Sequence, residues 1–197
     1  MIPQATVALG AAYLLGGIPF GLILHRLAGR GDLRQRGSGN IGATNVFRSA
    51  GRTLGILTLV LDISKGALAV VLVRAVSGGE VWEAAGACAV VVGHCFPIYL
   101  GFRGGKGIAA GCGAYAVLAP MPMVWTLGIF LAVMMLTRMV SAGSIAAGLM
   151  MPLFILWLQP RPGLLISVVT TVLVVTARHH SNIRRIISGR EHRINGS

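Results

Sequence analysis

Between Ala5 and Leu24 the chain runs for twenty residues without a charged side chain. A stretch of that length and character fits one setting, the ~30 Å hydrocarbon layer of a membrane. Further apolar runs follow at Leu54–Val76, interrupted by Asp62 and Lys65, and at Val81–Leu100, Met121–Leu136, Ser144–Leu158 and Leu164–Ala177. Ile108–Leu118 is apolar too, but its eleven residues are short for an unaided crossing. Pro120, Pro122, Pro160 and Pro162 punctuate the turns between runs. Hydrophobic residues make up 55% of the chain and charged ones only 11%, under half of the roughly 25% that a soluble domain carries. The sequence therefore predicts an all-α, polytopic integral membrane protein with seven transmembrane helices, read as one domain over residues 1–197. Met1–Gln4 carries no positive charge, so the first run reads as a retained helix rather than a cleaved leader.

Seven crossings put the two ends of the chain on opposite sides. With the N-terminus outside, the inside holds Arg26, Arg30, Arg34, Arg36, Arg48, Arg52, Arg103, Lys106, Arg138, Arg178, Arg184, Arg185, Arg190 and Arg193. Arg74 and Arg161 fall outside, and Lys65 lies within a span. That asymmetry fits the enrichment of cations in cytoplasmic loops, so the C-terminus is expected in the cytoplasm. It also accounts for the net charge of +12 without nucleic acid, because the charge is spread over separate loops with no interleaved aromatics. Cys88, Cys95 and Cys112 form no C-x-x-C and are odd in number, which points to neither a metal site nor a disulfide framework.

Chemistry is concentrated in the inside loops. The first, Arg30–Arg48, contains Gly37-Ser38-Gly39-Asn40-Ile41-Gly42. It is not a dinucleotide fingerprint, since no strand precedes it. Closely spaced glycines can turn backbone N–H groups inward as an anion nest. Ser38, Asn40, Thr44 and Asn45 add short polar side chains, and Arg48 adds a planar fork suited to phosphate. The second loop, Gly101–Gly107, sets Lys106 among Gly104, Gly105 and Gly107 just before an apolar run. It lacks the P-loop pattern, but a glycine turn feeding a helix start beside a lysine has similar chemistry. The tail begins Arg178-His179-His180-Ser181-Asn182. Asp62 and Lys65 form an i,i+3 intramembrane pair, either a functional site or a neutral pin between helices. Both loops, the tail and Ser144 are expected on one face, as a cationic pocket where an anionic substrate meets an oily one.

Three segments in order, Gly37–Asn45, Asp62-Ile-Ser-Lys-Gly66 and Gly93-His-Cys-Phe-Pro97 with Gly104-Gly-Lys-Gly107, together with His179-x-x-Asn182, resemble the bacterial PlsY family over nearly the whole chain. The resemblance implies an acyl-phosphate:glycerol-3-phosphate acyltransferase of the bacterial inner membrane, working on its cytoplasmic side. Such an enzyme moves a fatty acyl group from acyl phosphate to the sn-1 hydroxyl of glycerol 3-phosphate, giving lysophosphatidic acid and phosphate. The family pattern places Ser38, Arg48, Lys106, His179 and Asn182 around the two phosphates, with Lys106, His179 and Asn182 catalytic. Thr44 and Ser144 extend the set. No metal or other cofactor is implied; the partners are the two substrates and membrane lipid. The H-x-x-x-x-D pattern of other acyltransferases is absent. Direct transfer without an acyl-enzyme is expected, with the acyl phosphate's own oxygen or His179 taking the hydroxyl proton. The competing reading is a transporter for a phosphorylated small molecule, with Asp62 and Lys65 coupling protons; against it, no internal repeat is visible.

Overall fold

The structure, a computed structural model, describes residues 2–194; Met1 and Asn195–Ser197 of the expected domain lie outside the described residues. It is all-helical, with no strand among the described residues. The order is α1 (Ile2–Gly17), α2 (Phe20–Leu27), α3 (Ala43–Ala50), α4 (Arg52–Ser77), α5 (Glu80–Cys95), α6 (Ile108–Leu118), α7 (Pro120–Thr137), α8 (Val140–Leu158), α9 (Pro162–Arg178) and α10 (His180–Ile187).

Every apolar run of the sequence is helical over most of its length. Five spans are long and apolar enough to cross a membrane, with α1 and α2 together counting as one; α9 and α10, bent by 60°, make a sixth if taken as a pair. The first run is not one continuous helix, as its composition suggested. Pro19 has no N–H and its ring obstructs the preceding turn, so the helix breaks at residues 18–19. The Lys65 ammonium reaches this break and donates to the Ile18 carbonyl at 2.8 Å. Lys65 also meets Asp62 at 2.8 Å, both side chains buried, so the intramembrane pair has a structural task.

Glycine explains how the helices approach so closely. Gly66 of α4 faces the Ala110 carbonyl of α6, and Gly113 of α6 faces the Ile63 carbonyl of α4; a Cβ at either would collide with backbone. Gly16 and Gly93 do the same for α1 and α5. Small residues let backbones touch where lipid supplies no hydrophobic drive between helices. Polar groups buried between the helices find partners there at α6 and α9, as hydrocarbon favours. The Tyr115 hydroxyl lies 2.9 Å from Ser167 Oγ and 2.7 Å from Thr171 Oγ1, and Ser167 Oγ donates to Ala84 O.

The bundle has two unlike ends. At one, Arg161 donates to Leu118 O at 2.8 Å and pairs with Glu80, while Arg74 pairs with Glu83. At the other lie the first loop, the second loop and the tail; Arg178 ties the last two together by donating to the carbonyls of Gly104 and Gly105. The helices run alternately between these ends. The shortness of α6 has a local cause. After α5 the chain doubles back, and the N–H groups of Gly104 and Gly105 donate to Cys95 O and His94 O. The second loop thus folds down beside the last turn of α5, and α6 starts below the level at which α5 stops.

Candidate active site

The first loop is shaped by Asn45, which is 2% exposed. Its Oδ1 accepts from Ser38 N at 2.9 Å, and its Nδ2 donates to Arg36 O and Asn40 O at 3.0 and 2.8 Å. Asn40 Oδ1 accepts from Gly42 N and sets the turn into α3. Gly39 N donates to Arg36 O. The loop's N–H groups at Ser38, Gly39 and Gly42 are therefore spent inside the loop. So are those of Gly104 and Gly105 in the second. The anion nests expected from the glycines do not form at these positions; the glycines fold the loops so that side chains gather instead. Gly107, at φ +85° and hard against Val91 and Cys95, is where the second loop turns into α6.

Those side chains line two adjoining cavities. The first, about 510 Å³, is bounded by Ser38 and Asn40 of the first loop, Arg103, Gly104 and Lys106 of the second, and Arg178, His180, Ser181 and Arg185 at the tail. Arg34 also lines it, but is held by Asp32 at 2.6 Å, and this pairing drives the Asp32 carboxyl far below the usual carboxylate range. The second cavity, about 420 Å³, is bounded by His25, Arg30, Arg36, Gly37, Arg48 and Ser49, with Gly29 at its edge. Gly37 and Ser38 are consecutive, so the first loop is the wall between the two.

Lys106 is bound by Asn182 Oδ1, which accepts a short hydrogen bond from its ammonium. Asn182 Nδ2 donates in turn to Glu191 Oε1 at 2.7 Å. The carboxylate needs a donor and the ammonium an acceptor, so the amide is oriented from both sides. Glu191 also accepts from Ser141 Oγ at 2.9 Å and Arg185 Nε at 2.8 Å. Burial alone would push its carboxyl up, but these hydrogen bonds outweigh it and the net direction is down. Burial pulls the Lys106 ammonium down to about 8; nearby Glu191 opposes this, while Arg185, Arg48 and Arg178 add to it. Arg178 clamps the second loop from beneath, its Nη2 2.7 Å from Gly104 O and its guanidinium over the Phe96 ring.

His179 caps the end of α9 and is buried. Its Nδ1 lies 2.7 Å from Val175 O, and a carbonyl only accepts, so Nδ1 carries the proton and Nε2 the lone pair. Burial draws this imidazole down to about 4, which keeps it neutral at pH 7. Not every expected residue joins the cluster. Thr44 sits on the exposed side of the first turn of α3 and lines neither cavity. Ser144 donates to Val140 O of its own helix, and it is Ser141, one turn earlier, that reaches the tail. Sequence reading passed over Asn45, Arg178 and Glu191 as organisers. Glu191 carried a signal, being the lone acid among the cations that follow α9.

The family model described as Glycerol-3-phosphate acyltransferase matches residues 6–189. A glycerol-3-phosphate acyltransferase of Syntrophotalea carbinolica is 43% identical over 188 residues, 95% of this chain and 96% of that one. One of Gluconobacter oxydans is 47% identical over 93% of this chain and 90% of its own length. Crystal structures of PlsY, described as an integral membrane glycerol 3-phosphate acyltransferase, superpose closely. The glycerol 3-phosphate form has a TM-score of 0.92 at 34% identity, covering 97% of this chain and 96% of that one. The lysophosphatidic acid form has a TM-score of 0.90 at 33% identity, covering 97% and 95%. With two cationic cavities set at one end of an apolar bundle and sequence likeness along nearly its whole length, the chain belongs to the glycerol-3-phosphate acyltransferase family, as an integral membrane enzyme of the PlsY type.

Proposed function

We propose that the protein transfers a fatty acyl group from acyl phosphate to the sn-1 hydroxyl of glycerol 3-phosphate, at the cytoplasmic face of the bacterial inner membrane. The observation that carries this reading is the pair of cationic cavities sharing the first loop as their wall, one place for each phosphate. In this reading the seven apolar helices cross the membrane as one domain. The short α6 spans the remaining depth below the folded-back second loop, the N-terminus lies outside and the tail lies in the cytoplasm.

The sn-1 oxygen attacks the acyl carbonyl carbon, the bond from that carbon to the phosphate oxygen breaks, and the electron pair leaves with inorganic phosphate. The hydroxyl proton passes to a phosphate oxygen of the leaving group. His179, drawn down to about 4, is a poor base at neutral pH, which favours the substrate's own oxygen as acceptor. Lys106, oriented by Asn182, stabilises charge on the departing phosphate, while Ser38, Asn40 and Arg48 position the two head groups. Acyl phosphate carries a good leaving group, so holding the reactants and stabilising charge supply most of the acceleration.

Purified protein given acyl phosphate and glycerol 3-phosphate releases phosphate and forms lysophosphatidic acid, seen by mass spectrometry; acyl-CoA in place of acyl phosphate gives none. Movement of glycerol 3-phosphate into sealed vesicles without acylation would favour the transporter. Cysteine labelling around residue 120 finds that turn outside; labelling it from the cytoplasm would overturn the topology.

A further inference from the structure

His25, in the last turn of α2, lines the second cavity and is 1% exposed. Its Nδ1 lies 3.0 Å from Gly31 O. The carbonyl can only accept, so Nδ1 donates, and in the tautomer that this fixes Nε2 holds the lone pair. That Nε2 is buried and has no hydrogen-bond partner. Buried polar atoms are nearly always partnered, so an unpartnered one at a cavity wall marks a place for a ligand. The character of the cavity narrows the ligand. Arg30, Arg36 and Arg48 line it, and guanidinium groups only donate. Ser49 already gives its proton to Asn45 O at 2.8 Å. The cavity thus offers several donors for an anion and two acceptors, His25 Nε2 and Ser49 Oγ, for hydroxyl groups. A small polyol phosphate matches both halves of that description.

We propose that the cavity between α2 and the first loop seats the polyol phosphate, with His25 Nε2 accepting the hydrogen bond of the hydroxyl that is not acylated. This rests on the proposed reaction. The sn-1 hydroxyl must turn toward the first cavity and the acyl donor, across the wall at Gly37–Ser38. The sn-2 hydroxyl is left facing away from that wall, where His25 can read it. His25 is then a specificity-determining residue: it rewards a substrate that carries the second hydroxyl.

The test compares glycerol 3-phosphate with 3-hydroxypropyl phosphate, which lacks that hydroxyl. The wild-type protein prefers glycerol 3-phosphate in kcat/KM. His25→Asn keeps a donor for Gly31 O but has nothing at the Nε2 position. It lowers the preference by about 3- to 10-fold through KM for glycerol 3-phosphate, the range of one hydrogen bond, and leaves 3-hydroxypropyl phosphate and the acyl donor unchanged. His25→Gln, which restores an acceptor, recovers part of the preference. Equal slowing of both phosphates in His25→Asn would show that the residue only holds the loop, and equal use of both by the wild type would show that the hydroxyl is not read. Calorimetric binding of the two phosphates separates this claim from the reaction itself. A wild-type preference in binding that His25→Asn abolishes supports the assignment even in a protein that transfers no acyl group; no such preference overturns it.

Discussion

At the end of the bundle where α4 and α6 finish, cations and anions cancel: Arg74 meets Glu83 and Arg161 meets Glu80. At the opposite end the fourteen cations of the loops and tail face only Asp32 and Glu191. Since Asp62 and Lys65 also cancel, the whole net charge of +12 sits at that one end. The two ends share the same helices and differ in what they were built to tolerate. At the neutral end each cation faces a carboxylate, so no net repulsion builds up. The cationic end carries self-repulsion: burial is the main reason that Lys106 is lowered, and the charges of Arg185, Arg48 and Arg178 lower it further. In the proposed reaction an incoming dianion relieves that repulsion.

The sharpest way to break the comparison is to remove its centre. Lys106→Ala lowers turnover by roughly 10²-fold, the typical cost of losing one preorganised donor, in protein that still elutes as a folded species in detergent. Near-normal phosphate release would detach the cationic end from the chemistry. A pH titration is milder. Lys106 is held down to about 8, so its charge is complete at lower pH and disappears as pH rises through 8. The value of kcat/KM for the free enzyme should fall about tenfold per unit above that point, and Lys106→Arg should carry the falling limb upward. A limb that stays in place in Lys106→Arg would assign it to another group. Arg48→Lys keeps the charge but loses the fork, and raises KM for glycerol 3-phosphate about fivefold. An unchanged KM would move that phosphate out of the second cavity. At the neutral end, Arg74→Gln changes turnover by less than about twofold, because half-exposed pairs contribute little. A large loss of activity there would mean that the two ends are coupled.

What could be read from the sequence follows from length. A span needs a long, mostly apolar run, so α4, α5, α7, α8 and α9 stand where composition put them. The short helices α3 and α10 have eight residues each, two turns, which is too few for a period to show against a polar loop or tail. The break at Pro19 was hidden because every residue around it is apolar. In the site, residue types were legible and wiring was not. Ser38, Asn40, Arg48, Lys106 and Asn182 stand in or beside the two cavities. The residues that place them act across distances that sequence spacing does not reveal: Arg178 on Gly104, Ser141 on Glu191. Arg178 read as one more topological charge. The glycine loops misled in a specific way, because free N–H groups were inferred from glycine content when the fold had already assigned them partners.

The doubling-back of the second loop along α5 carries one more consequence. It draws the residues just before Lys106 back along the last turn of α5, so in the proposed reaction a phosphate held there hangs close to the apolar body of the bundle. In the proposed reaction the lipid donor can stay lodged among its neighbours with only its head lifted into the cleft, while the sugar-alcohol partner comes down from the water. Neither reactant has to leave its own phase, and the meeting point is set by how far seven residues of backbone dip.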